Sequence, residues 1–394
     1  MLIKIIFKNS FKMKNILFIH QSAELYGSDK TLLLLLKNLD ATKFRAVIIL
    51  PNDGELKTEL EKYDIKVVIA PVLKLYRKMF TPKNIFQFLK DIKTSFRTLD
   101  VLHNEYRFDL VYSNTLAVLL GVFYSKKRNI KHLWHVHEII VHPQVIATLY
   151  PQILLKHSDK VVCNSFATKT NLISRCQLLE SKTAVIHNGI EHELLNNELS
   201  LKKSFGFQNH DIVITLVGRI SRLKGHKLLL TAFLKYLKPI QNVKLLFVGS
   251  PVTGQEYYLH EVEKMIQENS LQEYVKIIPF IKNLQPIWHI TDIAVMPSTE
   301  AESFGLVAAE AMLAQKPVVA ANHGGLTEIV VDNKTGFLVE PNNEKALADA
   351  LLLLIKSPEM RCKMGNAGFN VASDKFTIQK YVAAFEDVFS KMLS

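Results

Sequence analysis

The chain alternates short, continuously apolar runs with longer segments whose apolar residues recur at helical spacing. Runs such as "NILFIH", "FRAVIIL" and "FDLVYSN" are each followed by a turn and by a helix-like segment, for example "TLLLLLKNL" or "TLAVLLGVFYSKK". Strands that are apolar throughout indicate a parallel sheet covered on both faces, because a half-exposed strand alternates apolar and polar residues. The first half of the chain is therefore predicted to form an α/β doubly wound domain.

The alternation stops and restarts once. A polar stretch, "EHELLNNELSLKKSFGFQNH", precedes a second series that begins at "DIVITLVGR" and continues through "VKLLFVGS" and "IAVMPS". A chain of 394 residues also exceeds what one hydrophobic core usually serves. We predict an α/β architecture of two doubly wound, Rossmann-like domains facing a central cleft. The predicted parts are residues 1–190, a linker at 191–210, residues 211–375, and a C-terminal helix at 376–394 that returns to the first domain.

Composition excludes several classes of protein. Apolar residues make up 48% and charged residues 22%, as in globular proteins, and the three cysteines are too few and too scattered for a disulfide framework or a Cys-based metal site. No apolar run approaches the length of about 18 residues that a membrane-spanning helix needs. The N-terminus lacks the long apolar region and cleavage site of a signal peptide, and both Met1 and Met13 are candidate translation starts. We expect a cytoplasmic protein.

The positive charge is concentrated in the first half. Residues 1–190 hold 28 Lys and Arg against 15 Asp and Glu, a balance of +13, whereas residues 191–394 hold 21 against 22. Such a balance suits nucleic acid or an anionic membrane surface. The segment at 74–97 mixes Lys and Arg with Leu, Tyr, Met and Phe. That mixture is typical of a helix lying on a membrane surface, and also of an ordinary surface helix.

Two cations follow the first strand of the second half. In "LVGRISRLKGHKLLL", Arg219 comes directly after the strand and Lys224 stands five residues later, where a helix begins. Ligands of open α/β sheets bind beyond the carboxyl ends of the strands. A guanidinium recognises phosphate through several hydrogen bonds, and lysine adds a mobile point charge. The pair therefore suits a diphosphate, the alternative being two solvated surface charges.

Two glutamates stand eight positions apart in "MPSTEAESFGLVAAEAMLAQ". The order is strand, loop and helix, with Glu302 in the loop and Glu310 in the helix, about two turns further along than Glu302. The N-terminus of a helix favours an anion such as phosphate. A carboxylate beside a phosphate suits neutral hydroxyls, such as those of a sugar. The alternatives are a favourable interaction of Glu302 with the helix dipole and a solvated helix face for Glu310.

Taken together, these motifs resemble the carboxyl-terminal domain of glycosyltransferase family 4, whose members have the two-domain GT-B fold. The resemblance is close over roughly residues 210–375, through "GRISRLKGH", "ESFGLVAAEAM", "KPVVAANHGGLTEIV" and "TGFLVEP". It is looser in the first half, through "LYGSDKTLL", "YSNT", "WHVHE", "VVCNS" and "IHNGI".

The resemblance implies roles for the donor-binding residues. Arg219 and Lys224 would hold the diphosphate of a nucleotide-sugar, and Glu310 would accept hydrogen bonds from the ribose hydroxyls. Glu302 would position the transferred sugar and its phosphate, together with the loop formed by Ser303, Phe304, Gly305 and Leu306.

In the first half, the resemblance places His137 opposite the donor sugar. With Glu302, Arg219 and Lys224, His137 completes the expected catalytic set, whereas His135 is a candidate core histidine. A metal site at His135, His137 and Glu138 is disfavoured, because no further ligand cluster completes it. Three further residues follow strands and are expected on the acceptor side: Gly27, Ser28 and Asn114. For Asn114 a turn or cap role is equally consistent.

The implied activity is that of a retaining glycosyltransferase with no cofactor and no obligatory metal. Its donor would be a nucleotide-diphosphate-sugar, the transferred unit a hexose or N-acetylhexosamine, and the acceptor a hydroxyl of a glycan or lipid-linked molecule in bacterial cell-surface polysaccharide synthesis. No nucleic-acid partner is expected, and the enzyme is a candidate peripheral protein on the inner face of the cell membrane. The alternative is a nucleic-acid- or anionic-surface-binding module without transferase activity.

Overall fold

The structure is a computed structural model that describes residues 13–74, 82–191 and 201–394. These residues form two parallel β-sheets and divide into two compact units. The first unit comprises the described residues up to Cys163 together with Leu172–Ile186 and Val382–Ser394, and the second comprises Asn164–Asn171 and His187–Tyr381.

The first unit is built on a seven-stranded sheet. Its strands are β1 (Lys14–Ile19), β2 (Phe44–Leu50), β3 (Lys66–Ile69), β4 (Leu110–Asn114), β5 (Lys131–Val136), β6 (Lys160–Cys163) and β7 (Thr183–Val185). Their order across the sheet is β3-β2-β1-β4-β5-β6-β7, and all neighbours are parallel. The strand order therefore reverses between β1 and β4, which makes the carboxyl ends of these two strands the expected site for a ligand.

Helices alternate with these strands along the chain. They are α1 (Gly27–Asn38), α2 (Glu55–Glu61), α3 (Pro82–Tyr106), α4 (Leu120–Arg128), α5 (Gln144–His157) and α6 (Phe166–Ile173). Successive side chains of a strand point to opposite faces. In β1, Leu17 clusters with Leu99 of α3, whereas Phe18 packs against Phe389, with ring centroids 6.3 Å apart. Both faces of the first sheet are therefore covered, as its apolar strands predicted.

The second unit repeats this plan with six parallel strands. They are β8 (Ile212–Val217), β9 (Val243–Val248), β10 (Val275–Ile278), β11 (Ile293–Met296), β12 (Val318–Ala321) and β13 (Gly336–Val339). The order is β10-β9-β8-β11-β12-β13, so the reversal lies between β8 and β11.

The remaining helices complete the fold. They are α7 (Leu201–Ser204), α8 (His226–Ala232), α9 (Tyr257–Glu268), α10 (Gln285–Ile290), α11 (Leu306–Leu313), α12 (Leu326–Ile329), α13 (Glu344–Lys356), α14 (Pro358–Lys375) and α15 (Ile378–Leu393). In β8, Ile214 clusters with Leu229 of α8, while Val213 belongs to the cluster that contains Met312 of α11. The second sheet is also covered on both faces, which confirms the prediction of two doubly wound α/β sheets.

The predicted domain boundaries stay predictions. Within the predicted linker, residues 192–200 lie outside the described residues, and Phe207 is buried in a core cluster of the second unit. Residues 382–394 group with the first unit, where Phe385 and Phe389 of α15 pack against Tyr112.

In the basic amphipathic segment predicted at 74–97, residues 75–81 lie outside the described part of the chain. From Pro82 onward the segment belongs to α3, whose Leu99 and Leu102 are buried in the first core. Among the described residues, no helix has the length and apolar character needed to cross a membrane.

Candidate functional site

In the second unit, two adjacent strands end at residues that the sequence singled out. Arg219 follows β8 and Glu302 lies in the loop after β11, while a Gly-Gly pair at 324–325 follows the next strand, β12. Because β8, β11 and β12 are neighbours and parallel, their carboxyl ends meet at one edge of the sheet. The structure therefore brings the predicted donor-binding segments of the second half together.

The loop after β8 is held close to the loop after β11 by a glycine. Gly225 has φ of +77°, and a Cβ built on it would lie 2.0 Å from the carbonyl oxygen of Pro297. Only glycine fits such an approach of two backbones. Lys224, at the end of a short 3-10 turn, is thereby placed next to the loop that carries Glu302.

Lys224 and Glu302 form a partly buried ion pair. Nζ of Lys224 lies 2.8 Å from Oε1 of Glu302, and the side chains are 29% and 18% exposed. The hydroxyl of Ser298 also donates to Glu302 Oε1. Burial raises the pKa of the Glu302 carboxyl, but the charge and hydrogen bond of Lys224 and the hydrogen bond of Ser298 outweigh it and hold the pKa below its usual value. Glu302 is therefore a carboxylate at neutral pH.

The backbone of Glu302 is fixed by the glycines after β12. The N–H of Gly325 donates to the carbonyl oxygen of Glu302 at 2.7 Å. A Cβ on Gly324 would lie 2.4 Å from that oxygen, and one on Gly325 would lie 2.5 Å from the Cα of Phe304. Ser298 is held as well, since its carbonyl oxygen lies 2.9 Å from Nε2 of His323. These supporting contacts were not predicted from the sequence.

The loop from Ser303 to Leu306 leads into α11. The ring of Phe304 is buried in the core, so only its backbone is suited to contact a ligand. Gly305 has φ of +103° and precedes the first residue of α11, Leu306. Ser303 accepts a hydrogen bond from Asn164 Nδ2 at 3.2 Å. The free N–H groups at the start of α11 thus follow Glu302 directly, as predicted.

Glu310 and Arg219 are both partly buried, and each has interactions within the chain. Glu310 lies about one turn into α11, which follows the loop that carries Glu302. Arg219 directly follows Gly218, whose φ is +155°. Their positions are compatible with the predicted roles.

Glu328 of α12 is a second partly buried carboxylate with several hydrogen-bond partners, and it was not predicted from the sequence. Its oxygens accept hydrogen bonds from the N–H groups of Phe166 and Ala167 at 2.9 and 2.8 Å, and Nε2 of His187 lies 2.8 Å away. Burial raises the pKa of Glu328, but these three hydrogen bonds outweigh burial and leave the pKa lowered. Glu328 therefore fixes the first turn of α6.

In the first unit, the ends of β1, β4 and β5 carry a chain of polar side chains. His20 follows β1, Asn114 ends β4 and His137 follows β5, and these three strands are adjacent. Nδ2 of Asn114 lies 2.9 Å from Nδ1 of His20, and Oδ1 of Asn114 lies 2.9 Å from Nε2 of His137. Behind them, Nε2 of His20 lies 2.5 Å from Oδ1 of Asp29. His20 and Asp29 were not predicted.

Asn114 is 1% exposed, so it lies behind His137 rather than on a surface open to an acceptor. His135 is buried, as expected for a core histidine, and its Nδ1 lies 2.6 Å from the hydroxyl of Tyr112. Burial is the main cause that lowers the pKa of both histidines, that of His137 to about 3. Both rings are therefore neutral at pH 7.

Gly27 and Ser28 open helix α1. Gly27 is exposed, and the carbonyl oxygen of Ser28 lies 3.5 Å from Nδ2 of Asn114. Among the residues that the structure covers, no group of three or more His, Cys, Asp or Glu side chains is arranged to hold a metal ion. The acceptor-side roles and the metal independence stay predictions.

Glu138 adds a partly buried carboxyl group next to His137. It accepts hydrogen bonds from the N–H groups of Leu116, at 3.1 and 3.2 Å, and of His137, at 3.0 Å. Burial raises the pKa of Glu138 to about 7 despite these hydrogen bonds, which lower it.

We expect Glu138→Gln to become more favourable for stability as pH rises. In the folded protein the pKa of Glu138 lies above the usual 4.5, so folding favours the protonated form. The resulting gain in the free energy of unfolding is complete below pH 4.5 and is lost as the pH rises towards 7. Glutamine avoids this loss and keeps an acceptor oxygen. Urea unfolding should show the variant gaining about 1–3 kcal/mol relative to wild type between pH 5 and pH 8. The exposed Glu263→Gln is the control, and parallel pH profiles for all three proteins would contradict the assignment.

Two family models match the chain. The model "Glycosyl transferases group 1" matches residues 197–371, and the model "Glycosyltransferase Family 4" matches residues 26–194. Between them they cover most of the sequence, and each coincides largely with one of the two sheets.

Related proteins match over almost their whole length. An uncharacterized glycosyltransferase of Methanocaldococcus jannaschii is 28% identical over 364 residues, which is 91% of this chain and 92% of the relative. The capsular polysaccharide biosynthesis glycosyltransferase CapM of Staphylococcus aureus is 27% identical over 371 residues, 91% of either chain.

A solved structure shares the fold. The crystal structure of Anabaena HepE in complex with UDP and glucose matches with a TM-score of 0.83 and 26% identity, covering 96% of this chain and 100% of that one. The two family models and the agreement in fold confirm the resemblance of the motifs, and the chain belongs to glycosyltransferase family 4, with the GT-B fold.

Proposed function

We propose that the protein is a retaining glycosyltransferase that moves a sugar from a nucleotide-diphosphate-sugar to a hydroxyl group of a glycan or lipid-linked acceptor. The observation that carries the proposal is the Lys224–Glu302 pair at the strand order reversal of the second sheet. The pair sets a cation and an ionised carboxylate side by side at the start of a helix. A cation suits a phosphate, and a carboxylate suits sugar hydroxyls.

The donor would lie along the carboxyl ends of β8 and β11. Arg219 and Lys224 would contact the diphosphate, and the N–H groups of residues 304–306 would contact its phosphate oxygens. Glu302 would accept hydrogen bonds from the transferred sugar, and Glu310 from the ribose. Because HepE was solved with UDP and glucose and also with UDP-glucose, a UDP-sugar is the first donor to test.

Cleavage of the sugar–phosphate bond develops negative charge on the leaving diphosphate. Lys224, which pairs with Glu302, and the helix N-terminus are in place before the reaction, and such preorganised donors stabilise that charge without reorganisation. Arg219 would add a second cation. His137, neutral at pH 7, would hydrogen-bond the reacting sugar. The leaving diphosphate would take the proton of the acceptor hydroxyl, and the reaction would retain configuration without an obligatory metal.

A donor release assay tests this function. Purified protein is incubated with a panel of UDP-, GDP- and ADP-sugars, and the free nucleoside diphosphate is measured. We expect slow hydrolysis of one hexosyl or N-acetylhexosaminyl donor even without an acceptor. Binding of every nucleotide and of every nucleotide-sugar too weak to detect would contradict the proposal.

Glu310→Gln should chiefly weaken nucleotide binding. The substitution keeps the shape of the side chain but replaces a charged acceptor by a neutral one, and a hydrogen bond to a charged group contributes about 1.5–3 kcal/mol. Calorimetry with the nucleoside diphosphate should therefore show a Kd raised about tenfold to a hundredfold. Unchanged affinity combined with lost transfer would mean that Glu310 contacts the sugar instead of the ribose.

We further propose that the acceptor side belongs to the first unit, near Gly27 and Ser28, and that the product is part of a bacterial cell-surface polysaccharide. The name of CapM supports this role, since CapM takes part in capsular polysaccharide biosynthesis. The family membership also favours sugar transfer over the alternative of a binding module without activity.

The first unit presents a surface suited to an anionic membrane. At the start of α3, Ile85, Phe86 and Leu89 are 45%, 73% and 59% exposed, and the exposed Lys90 and Lys93 follow. Apolar side chains that enter the headgroup region next to basic residues are typical of helices at membrane surfaces. This arrangement supports peripheral binding to the inner face of the cell membrane.

The double substitution Phe86→Ser and Leu89→Ser should reduce sedimentation with vesicles that contain anionic lipid. Burial of one such side chain in a membrane contributes about 1.5–3 kcal/mol, so binding should fall at least tenfold. Leu353→Ser, at a residue 50% exposed in the second unit, is the matched control. Binding should also weaken with salt, because lysine contributes about 1 kcal/mol near an anionic surface. Equal sedimentation with neutral vesicles would favour a soluble acceptor.

A further inference from the structure

We propose that Asp29 and His20 are positioning residues that determine, through the amide group of Asn114, which ring nitrogen of His137 carries the proton. The geometry assigns the proton to Nε2 and leaves Nδ1 as a hydrogen-bond acceptor. The proposal rests on the proposed function only for its effect on sugar transfer, and the protonation itself is measured separately.

The direction of the hydrogen-bond chain is set at Asp29. Its Oδ2 accepts from the N–H of Tyr26 at 2.9 Å, and its Oδ1 accepts from the hydroxyl of Ser22 and lies 2.5 Å from Nε2 of His20. Both carboxyl oxygens of Asp29 thus act as acceptors. His20 must therefore carry a proton on Nε2 and donate it to Asp29, and in the neutral ring Nδ1 is then an acceptor.

The next link fixes the orientation of Asn114. Because Nδ1 of His20 accepts, the group of Asn114 that lies 2.9 Å from it must be the amino group, as the structure has it. The carbonyl oxygen of Ser28, 3.5 Å from the same nitrogen, also requires a donor on that side. Asn114 is 1% exposed, so water does not compete for these contacts.

The last link reaches His137. With its amino group directed at His20, Asn114 presents Oδ1 to Nε2 of His137 at 2.9 Å, and an amide oxygen accepts only. Nδ1 of His135 also lies 3.1 Å from this nitrogen, but it is closer to the hydroxyl of Tyr112, at 2.6 Å, so Oδ1 of Asn114 is the contact that requires a donor on His137. A neutral His137 therefore carries its single proton on Nε2.

The consequence is an acceptor nitrogen available to a substrate. His137 is half-buried, and among the described residues no hydrogen-bond partner contacts its Nδ1. A bare ring nitrogen accepts a hydrogen bond from a hydroxyl, whereas a protonated one would repel the hydroxyl hydrogen. The carboxylate of Asp29, three side chains away, thereby prepares His137 to orient a hydroxyl of the sugar.

The test combines spectroscopy with kinetics on the full chain. The protein is labelled with 15N-histidine, and the His137 resonances are assigned among the 14 histidines by their absence in His137→Gln. The 15N shifts of protonated and bare ring nitrogens are well separated, so the spectrum reports the tautomer directly. Four variants are compared with wild type: Asp29→Asn, His20→Leu, His20→Gln and Ser22→Ala.

We expect wild-type His137 to be protonated on Nε2. Asp29→Asn and His20→Leu should shift His137 towards the other tautomer and lower kcat about tenfold to a hundredfold, the range for one hydrogen bond to a reacting group. The donor KM should stay within about twofold. His20→Gln should keep the wild-type tautomer, because its amide oxygen accepts from Asn114 and its amino group donates to Asp29. Ser22→Ala removes a donor to the carboxylate of Asp29 but leaves the hydrogen bonds from Asp29 to His137 in place. It should change neither the tautomer of His137 nor kcat.

Three outcomes would overturn the proposal: a wild-type His137 protonated on Nδ1, an unchanged tautomer in both disrupting variants, or a changed tautomer with unchanged kcat. The proposal also fails if a variant has a lower kcat and a lower unfolding temperature than wild type but keeps the wild-type tautomer of His137, because the loss of activity then reflects stability. If no donor is turned over by wild type, the proposed function fails, while the spectra still decide the protonation of His137.

Discussion

Lys224→Met is expected to lower kcat/KM for the nucleotide-sugar about 100- to 1000-fold, as the removal of one preorganised group at a developing charge does in other enzymes. Lysine at this position would contact the leaving diphosphate and also pairs with Glu302 at 2.8 Å. Methionine has a similar length but no charge. Steady-state kinetics with the donor identified in the release assay would measure the effect.

The same substitution should change how stability depends on pH. In wild type the pKa of Glu302 lies below its usual value of 4.5, so its contribution to stability is present above that pH and is lost only in acid. Without Lys224, burial would hold the pKa above 4.5 instead. The variant should then lose stability as pH rises from 5 to 8, by about 1–3 kcal/mol for a carboxylate left without its partner.

Arg222→Met is the matched control. Arg222 pairs with Glu300 and so joins the same two loops, but its side chain is 62% exposed, and exposed ion pairs contribute about 0–1 kcal/mol. We expect this control to keep kcat/KM within about threefold and to show the wild-type pH dependence. Equal effects of the two substitutions would mean that an ion pair between the two loops is enough for activity. They would contradict a direct contact of Lys224 with the donor.

The two sheets were predictable because their central strands are short and apolar on both faces. Such a run fits one environment, the interior of a covered parallel sheet, and Ile16, Leu17, Phe18 and Ile19 are indeed all buried. Helix ends were less predictable, because they depend on tertiary contacts. The first turn of α6 is held by Glu328, which stands 161 and 162 positions further along the chain.

The candidate residues of the site could be named from the sequence where they directly follow a strand, because that does not require the order of the strands in the sheet. Arg219, Lys224 and Glu302 each belong to one strand-to-helix loop, and a charged residue in such a loop is a local signal. Their pairing was not predicted, because it depends on β8 and β11 being neighbours, which apolar periodicity does not show.

The residues behind His137 illustrate the same limit. His20 directly follows β1, which is the signal that drew attention to Asn114 and His137, so His20 was within reach of the sequence reasoning. Asp29 was not, because it reads as an ordinary acidic residue in the first turn of a helix. Its contact with His20 requires the turn between β1 and α1 to fold back, which is a feature of the tertiary structure and leaves no local signal in the sequence.

Gly324→Ala should remove most of the activity. A Cβ at this position would lie 2.4 Å from the carbonyl oxygen of Glu302 and 2.8 Å from its nitrogen. Both are backbone atoms of a loop that is fixed in turn by Gly325, so the clash moves Glu302 itself. Misplacement of a catalytic group by about 1 Å costs about 100-fold in rate, and kcat/KM should fall at least that much.

Gly254→Ala separates this effect from the backbone cost of a positive φ. Gly324 and Gly254 have φ of +61° and +81°, so alanine in either is strained by roughly 1–2 kcal/mol, but a Cβ on Gly254 would meet nothing within 4 Å. In urea unfolding, Gly324→Ala should therefore be less stable than Gly254→Ala by about 1–3 kcal/mol, the cost of overpacking. Kinetics are measured where both variants are fully folded. Equal unfolding free energies would show that the loop accommodates the Cβ of residue 324 without strain. A less stable Gly324→Ala protein with wild-type kcat/KM would show that Glu302 does not orient the donor sugar.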